Sequence, residues 1–259
     1  MRTHLVLGAC CLMLAMVVPL ACTTTTNQTV EKQKEQAQAS KNLGEAYLRE
    51  GKYTSALREL LKAEALYPDD YFLQNDLGLV YYYKERQDLA IQHFKKSLAL
   101  KDDYGPARNN LGNAYAKNNE WDKAIEQWKH VISDLLYATP QFPLSNLGFA
   151  YNHKEEYDLA EKYFLEALNV KPDFNKALYG LSQTYIATGR ISEAIASLEK
   201  ATAISPEEVV LHFELAKAYS LNRDYRRAHA AYLKVVQLDP NSTLADQALR
   251  ESQKIKHLY

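Results

Sequence analysis

Cysteine is nearly absent from this chain of 259 residues. Its three cysteines, Cys10, Cys11 and Cys22, all stand near the start, so the rest can form neither a disulfide nor a thiolate metal site. Neither sign of charge dominates: 31 Lys and Arg against 32 Asp and Glu give a net charge of −1. A generic nucleic-acid or anionic-lipid surface would be markedly basic, so that class of partner is set aside. No glycine-rich phosphate loop, His-Glu-x-x-His or Gly-x-Ser-x-Gly occurs, and Asp and Glu are evenly mixed with Lys, as on solvated helices. No catalytic residue, metal or cofactor is expected, and the chain does not read as an enzyme. Long apolar runs are also missing beyond residues 5–20, so no other segment reads as a membrane span.

What is abundant is repetition. Leu43-Gly44-x-x-Tyr47, followed by Ala56, Leu60 and Ala63, returns 34 residues on as Leu77-Gly78-x-x-Tyr81, Ala90, Phe94 and Ser97. It returns again as Leu111-Gly112-x-x-Tyr115, Leu147-Gly148-x-x-Tyr151, Leu181-Ser182-x-x-Tyr185 and Leu215-Ala216-x-x-Tyr219. A 34-residue period with these residue types in these places is the tetratricopeptide signature. The expected fold is an all-α superhelical solenoid of six helix-turn-helix repeats, at 37–70, 71–104, 105–140, 141–174, 175–208 and 209–242, with a capping helix at 243–259. Each copy buries its apolar face only by stacking on neighbours. The small residues (Gly44, Gly78, Gly112, Gly148 and Ala56, Ala90, Ala124, Ala160) let paired helices approach closely. Pro68, Pro172, Pro206 and Pro240 stop the second helix, having no N–H and clashing with the preceding turn. The 19 tyrosines are therefore mostly core. The capping helix should cover the last layer with Leu244, Ala248, Leu249 and Ile255. Histidines 93, 130, 153, 212 and 229 fall at different repeat positions, so stacking does not gather them and each reads as a surface residue.

The chain start is a separate unit. Arg2 and His4 precede the apolar run at 5–20, which ends in Leu20-Ala21-Cys22. A basic start, a short apolar run and a small residue at its end describe an export signal, here 1–21. Leu20-Ala21-Cys22 resembles the bacterial lipobox, with Pro19 a departure from it, and the resemblance makes Cys22 the lipidated first residue of the mature chain. Thr23 after it, in place of aspartate, implies outer-membrane attachment facing the periplasm. Residues 22–36 are Thr-, Gln-, Glu- and Lys-rich and read as a polar tether whose later part can extend the first helix.

One join breaks the period. The fourth copy follows the third after 36 residues, through Ser133-Asp-Leu-Leu-Tyr137-Ala-Thr-Pro140-Gln-Phe142-Pro143 and on to Asn146. Two readings stay open there, a harmless loop insertion or the structural mark of one subfamily. The lipobox signal, polar tether, six repeats and this insertion together resemble the type IV pilus biogenesis/stability lipoproteins, the PilF/PilW pilotins and the related Tgl lipoprotein. No proline directly follows Tyr137, as some members have. The resemblance implies a protein that binds secretin subunits or neighbouring pilus-assembly proteins and uses its lipid to bring them to the outer membrane. A different repeat scaffold, for polysaccharide export or cytochrome maturation, is the alternative.

Function is then expected in the concave groove, with a protein partner and neither nucleic acid nor a small-molecule substrate. The position two before the small glycine reads Asn42, Asp76, Asn110 and Asn146, broken by Gly180 and Glu214 in the last copies. Amides carry donors and an acceptor, so such a ladder suits an extended backbone; bridging between neighbouring helices is the competing reading. Phe72, Leu79, Tyr82, Asn113, Phe142, Phe149, Tyr179 and Phe213 are the other groove candidates. A carboxylate clamp like that of chaperone-binding repeats needs clustered cations, and Lys41 and Lys176 lie far apart, so none is expected.

Overall fold

The computed structural model describes residues 18–258, with side-chain surroundings from residue 30 on. Thirteen helices and no strand are present among the described residues. They are α1 (Val18–Arg49), α2 (Tyr53–Leu66), α3 (Tyr71–Tyr83), α4 (Gln87–Leu100), α5 (Gly105–Lys117), α6 (Trp121–Ser133) and α7 (Gln141–His153). There follow α8 (Tyr157–Val170), α9 (Asn175–Ala187), α10 (Ile191–Ile204), α11 (Val209–Leu221), α12 (Tyr225–Leu238) and α13 (Thr243–Ile255). The expected export signal lies mostly outside the described residues. The expected tether is helical, since α1 carries 22–36 within it; the side chains from Val30 to Gln36 are exposed, so this stretch remains solvated.

The described residues form two compact units, one ending at residue 107 and the other beginning at residue 108, with the division inside α5. In the first, α1 pairs with α2 and α3 with α4 around Ala37, Ala56, Leu60, Ala63, Leu73, Leu77 and Val80. In the second, α7 pairs with α8, α9 with α10 and α11 with α12, and α13 packs on α12. Its inner residues include Leu178, Leu198, Ala201, Leu211, Ala218 and Ala228.

The glycine positions do what their spacing suggests. Each faces the large side chain sixteen residues later: Gly44 meets Leu60, Gly78 meets Phe94, Gly112 meets Trp128 and Gly148 meets Phe164. A Cβ on Gly112 would stand 2.5 Å from Trp128 Nε1, closer than atoms pack. Trp128 is buried and its Nε1 donates to the Asn109 carbonyl at 3.2 Å, so the ring has nowhere to go.

The turn inside each pair is built one way in all six copies. The chain passes through a left-handed residue at Gly51, Glu85, Asn119, Glu155, Gly189 and Arg223. At each, the next backbone N–H reaches back to the repeat tyrosine's carbonyl, as in Lys52 to Tyr47 (2.9 Å) and Arg190 to Tyr185 (2.8 Å). Together with a second bond from the left-handed residue's own N–H, which spans fewer residues, as in Gly51 to Leu48 (3.0 Å), this is a Schellman end. Between pairs, Pro68, Pro172, Pro206 and Pro240 each stand two residues past a helix end, after a residue outside the helical region.

The irregular join is a longer loop. Four residues separate most successive pairs, as between Val170 and Asn175, but seven separate Ser133 from Gln141. Pro140 sits at the helix N-cap and Pro143 in its first turn, where a missing N–H costs nothing. Asp134 folds the loop back on itself, its Oδ1 accepting from the Leu136 N–H at 2.9 Å. At the last layer, Ser242 caps α13 by accepting from the Ala245 N–H, and the helix buries Ala245, Ala248 and Ser252. Leu249 is instead exposed, a correction of one position in the expected face.

Candidate functional site

In the first unit the candidates come from α1 and α3. Asp70 caps α3 through the Phe72 and Leu73 N–H groups and also accepts from Lys41 Nζ at 2.6 Å, so that lysine's charge is already matched. Phe72 stays exposed, tilted against Tyr71 and edge-on to Tyr104. Leu79 and Tyr82 are half-buried on the same helix. Asn42 is exposed and takes a hydrogen bond from Gln38 Nε2 at 2.7 Å. Asp76 is the electrostatic outlier. Desolvation, and next the nearby Glu45 charge, push its pKa from 3.8 up to about 7. A carboxylate left in such surroundings disfavours its own charge, a pattern common at functional sites.

In the second unit, α5, α7 and α9 supply the candidates. Lys176 Nζ donates to Asn146 Oδ1 at 2.6 Å, and Asn146 Nδ2 donates to Asn113 Oδ1 at 2.8 Å. Asn146 is therefore buried as a bridge between helices, with both ends of its amide occupied; this favours bridging over backbone recognition at that rung. Asn110 is half-buried beside it in sequence register. Phe149 packs edge-on to Phe164 and lies near Tyr179, while Phe142 stays exposed and edge-on to Phe174. Phe213 is a correction. It is 5 % exposed and packs against Tyr232 in a cluster with Ala216, Val235 and Ala248, so it belongs to the core. Its register position holds the half-buried Tyr179 one copy earlier; burial there depends on what the next layer places over it.

Two features escaped the sequence reading. In the sequence Lys176 reads only as too isolated for a clamp. Leu135 and Leu136, at the tip of the long loop, are 96 % and 91 % exposed, more than any other large apolar side chain described. Their only sequence signal was the broken period. His93 also differs from a plain surface residue: it is half-buried, hydrogen-bonded through Nδ1 to Gln74 Oε1 at 2.8 Å and stacked on Tyr81. Burial holds its pKa below the usual imidazole value. Among the described residues no group of His, Cys, Asp or Glu is placed to hold a metal ion, and no helix is long and apolar enough to cross a membrane.

Family models described as tetratricopeptide repeat match residues 27–71 and 74–128, 142–207, and 189–251. With its repeats in register and these models covering most of its length, the chain is a tetratricopeptide-repeat protein. Among solved structures, it is similar to PilW, a widely conserved type IV pilus biogenesis factor, with a TM-score of 0.76 and 20 % identity over 82 % of this chain and 98 % of that one. It is similar also to PilF of Pseudomonas aeruginosa, with a TM-score of 0.72 and 19 % identity over 85 % and 99 % of the two chains. The Cut9–Hcn1 structure of the anaphase-promoting complex matches at 0.74 and 19 % identity, over 90 % of this chain and 46 % of that one. By sequence, anaphase-promoting complex subunit 3 of Schizosaccharomyces pombe is 32 % identical over 98 residues, 38 % of this chain. The chain spans about 15 % of that protein's length.

Proposed function

We propose that this protein is a lipid-anchored scaffold of the outer membrane, facing the periplasm, which binds pilus-assembly proteins and promotes secretin localisation and multimerisation in type IV pilus biogenesis. The observation that carries this reading is coverage. The alignment takes in almost the whole of PilW and of PilF while leaving little of this chain unmatched, whereas it takes in less than half of the Cut9–Hcn1 chain. The apolar run ending at Cys22 supports the lipid anchor, and the exposed Phe72, Phe142 and Leu135–Leu136 supply apolar contact points for a protein partner.

The anchor is tested by Cys22→Ser in the native host with labelled palmitate. The expected result is loss of label and release of an intact, folded repeat body from the membrane fraction. Retention of the mutant in the outer membrane would sink the anchor. The pilus role is tested by deleting the gene: pili should disappear and return with the wild-type copy. Piliation unchanged by the deletion would instead favour a scaffold for another envelope machine.

A further inference from the structure

In the second unit the two ends of the helix pairs differ. Each pair is an antiparallel hairpin, so the loops from one pair to the next lie at one end and the turns inside the pairs at the other. The end that carries the loops is apolar. It exposes Leu135, Leu136 and Phe142 at the irregular join, Val170 and Ile204 where α8 and α10 finish, and Val210 where α11 begins. The turns inside α7–α8, α9–α10 and α11–α12 expose only Leu221 among the described large apolar side chains.

Charge divides the two ends in the same way. At the turns, cations and carboxylates are matched: Lys154 with Asp122, Arg190 with Glu161 and Glu193, and Arg227 with Asp224. The loops at the other end carry Asp134, Asp173, Glu207, Glu208 and Asp239 against a single cation, Lys171. None of these carboxylates makes an ion pair among the described residues, and Lys171 stands 6.0 Å from the Phe174 ring centroid. The leucines are held in place by their own loop. Asp134 Oδ1 accepts from the Leu136 N–H, and the Tyr137 N–H donates to the Asp134 carbonyl at 3.1 Å. Phe142 meets Phe174 edge-on at 5.2 Å, which ties the join to the loop of the next pair.

We propose that this end of the second unit, with Leu135, Leu136 and Phe142 as its main contacts, docks a segment of a protein partner in which apolar side chains are flanked by lysine or arginine. Apolar side chains this exposed gain by being covered. The unmatched carboxylates around them favour a basic rim on whatever covers them, through steering and charge-assisted contacts. The same carboxylates oppose contact with an anionic lipid surface, and two copies meeting through this end would bring like charges together. The inference rests on the scaffold reading above and gives that partner a chemistry.

The test uses the full-length protein and a library of acetylated, amidated peptides, so that neither terminus carries charge. Bound peptides should combine large apolar residues with Lys or Arg, and replacing those cations by Glu should weaken binding at least about tenfold. Leu135→Ser with Leu136→Ser should weaken the same peptides by a similar factor while the melting temperature stays within error. Asp173→Asn with Glu207→Gln and Glu208→Gln should weaken them several-fold and flatten the dependence on salt. Peptides bound without preference for Lys or Arg, peptides bound equally by the leucine variant, or no peptide bound at all would overturn the docking surface. Sedimentation of the Cys22→Ser protein with phosphatidylethanolamine–phosphatidylglycerol vesicles, lost on the leucine substitutions, would overturn it in favour of a membrane contact. A concentration-dependent dimer lost in the same way would overturn it in favour of a second copy. The scaffold reading survives each of these results and fails separately, by piliation unchanged when the gene is deleted.

Discussion

Replacing Asp76 with asparagine should stabilise the first unit, by an amount that depends on pH. Asparagine keeps the shape and leaves an oxygen for Asn75 Nδ2, which lies 3.4 Å from Asp76 Oδ1. What it removes is a charge that desolvation and Glu45 oppose, with Lys41 only partly offsetting them. The folded-state pKa, about 7, lies above the ordinary 3.8, so the folded protein holds this proton more tightly than the unfolded chain. Stability therefore falls as pH rises from about 4 to about 7, and the penalty is complete above that window and absent below it. A full shift of this size corresponds to about 4 kcal/mol; partial solvent access reduces it to something on the order of 2 kcal/mol. Urea unfolding followed by far-ultraviolet circular dichroism measures it, since both tryptophans lie in the other unit. Asp76→Asn should gain stability near pH 8 and lose that advantage near pH 4. Glu45→Gln should give a smaller gain in the same direction. An Asp76→Asn protein no more stable than wild type at the higher pH, or one whose gain ignores pH, would refute the reasoning.

Other substitutions test the packing and the turns. Gly112→Leu forces a side chain into Trp128 and should cost about 1–3 kcal/mol in chemical denaturation, despite the better helix propensity; an unchanged unfolding curve would break the assigned register. Gly189→Ala meets no neighbouring atom, so its cost should be the left-handed backbone alone, about 1 kcal/mol. Glu155→Gly, at the equivalent turn, should be neutral or slightly stabilising in the same assay. Leu135→Ser with Leu136→Ser should change stability by less than about 0.5 kcal/mol, because both side chains already face water. If the loop serves the proposed scaffold role, the pair should nonetheless weaken co-isolation of pilus-assembly proteins, and undiminished co-isolation would remove the loop from the contact surface.

Much of the fold was legible because the signals are local and repeated. Gly44, Gly78, Gly112 and Gly148 with their large partners sixteen residues on are visible as residue types, and the structure brings each pair into contact. The turns were less legible. Gly51 and Gly189 announce a left-handed position, but Glu85, Asn119, Glu155 and Arg223 occupy the same one with nothing in their chemistry to reveal it. There the stacked helices dictate the backbone and the residue tolerates it. The candidate surface was read least well. Phe213 and Tyr179 share a register position, yet one is core and the other half-buried, because neighbouring layers decide how deeply that edge is covered. Lys176 could not be singled out from sequence, since its hydrogen bond to Asn146 joins side chains that only folding brings together.

The most direct test of the account is the amount of heat-resistant secretin multimer in the outer membrane of the native host, with the protein deleted and then restored. The account predicts that multimers fall on deletion, return with the wild-type chain, and fail to return in that membrane with Cys22→Ser. Multimers unchanged by deletion would contradict the secretin role and leave a tetratricopeptide-repeat scaffold serving some other envelope assembly.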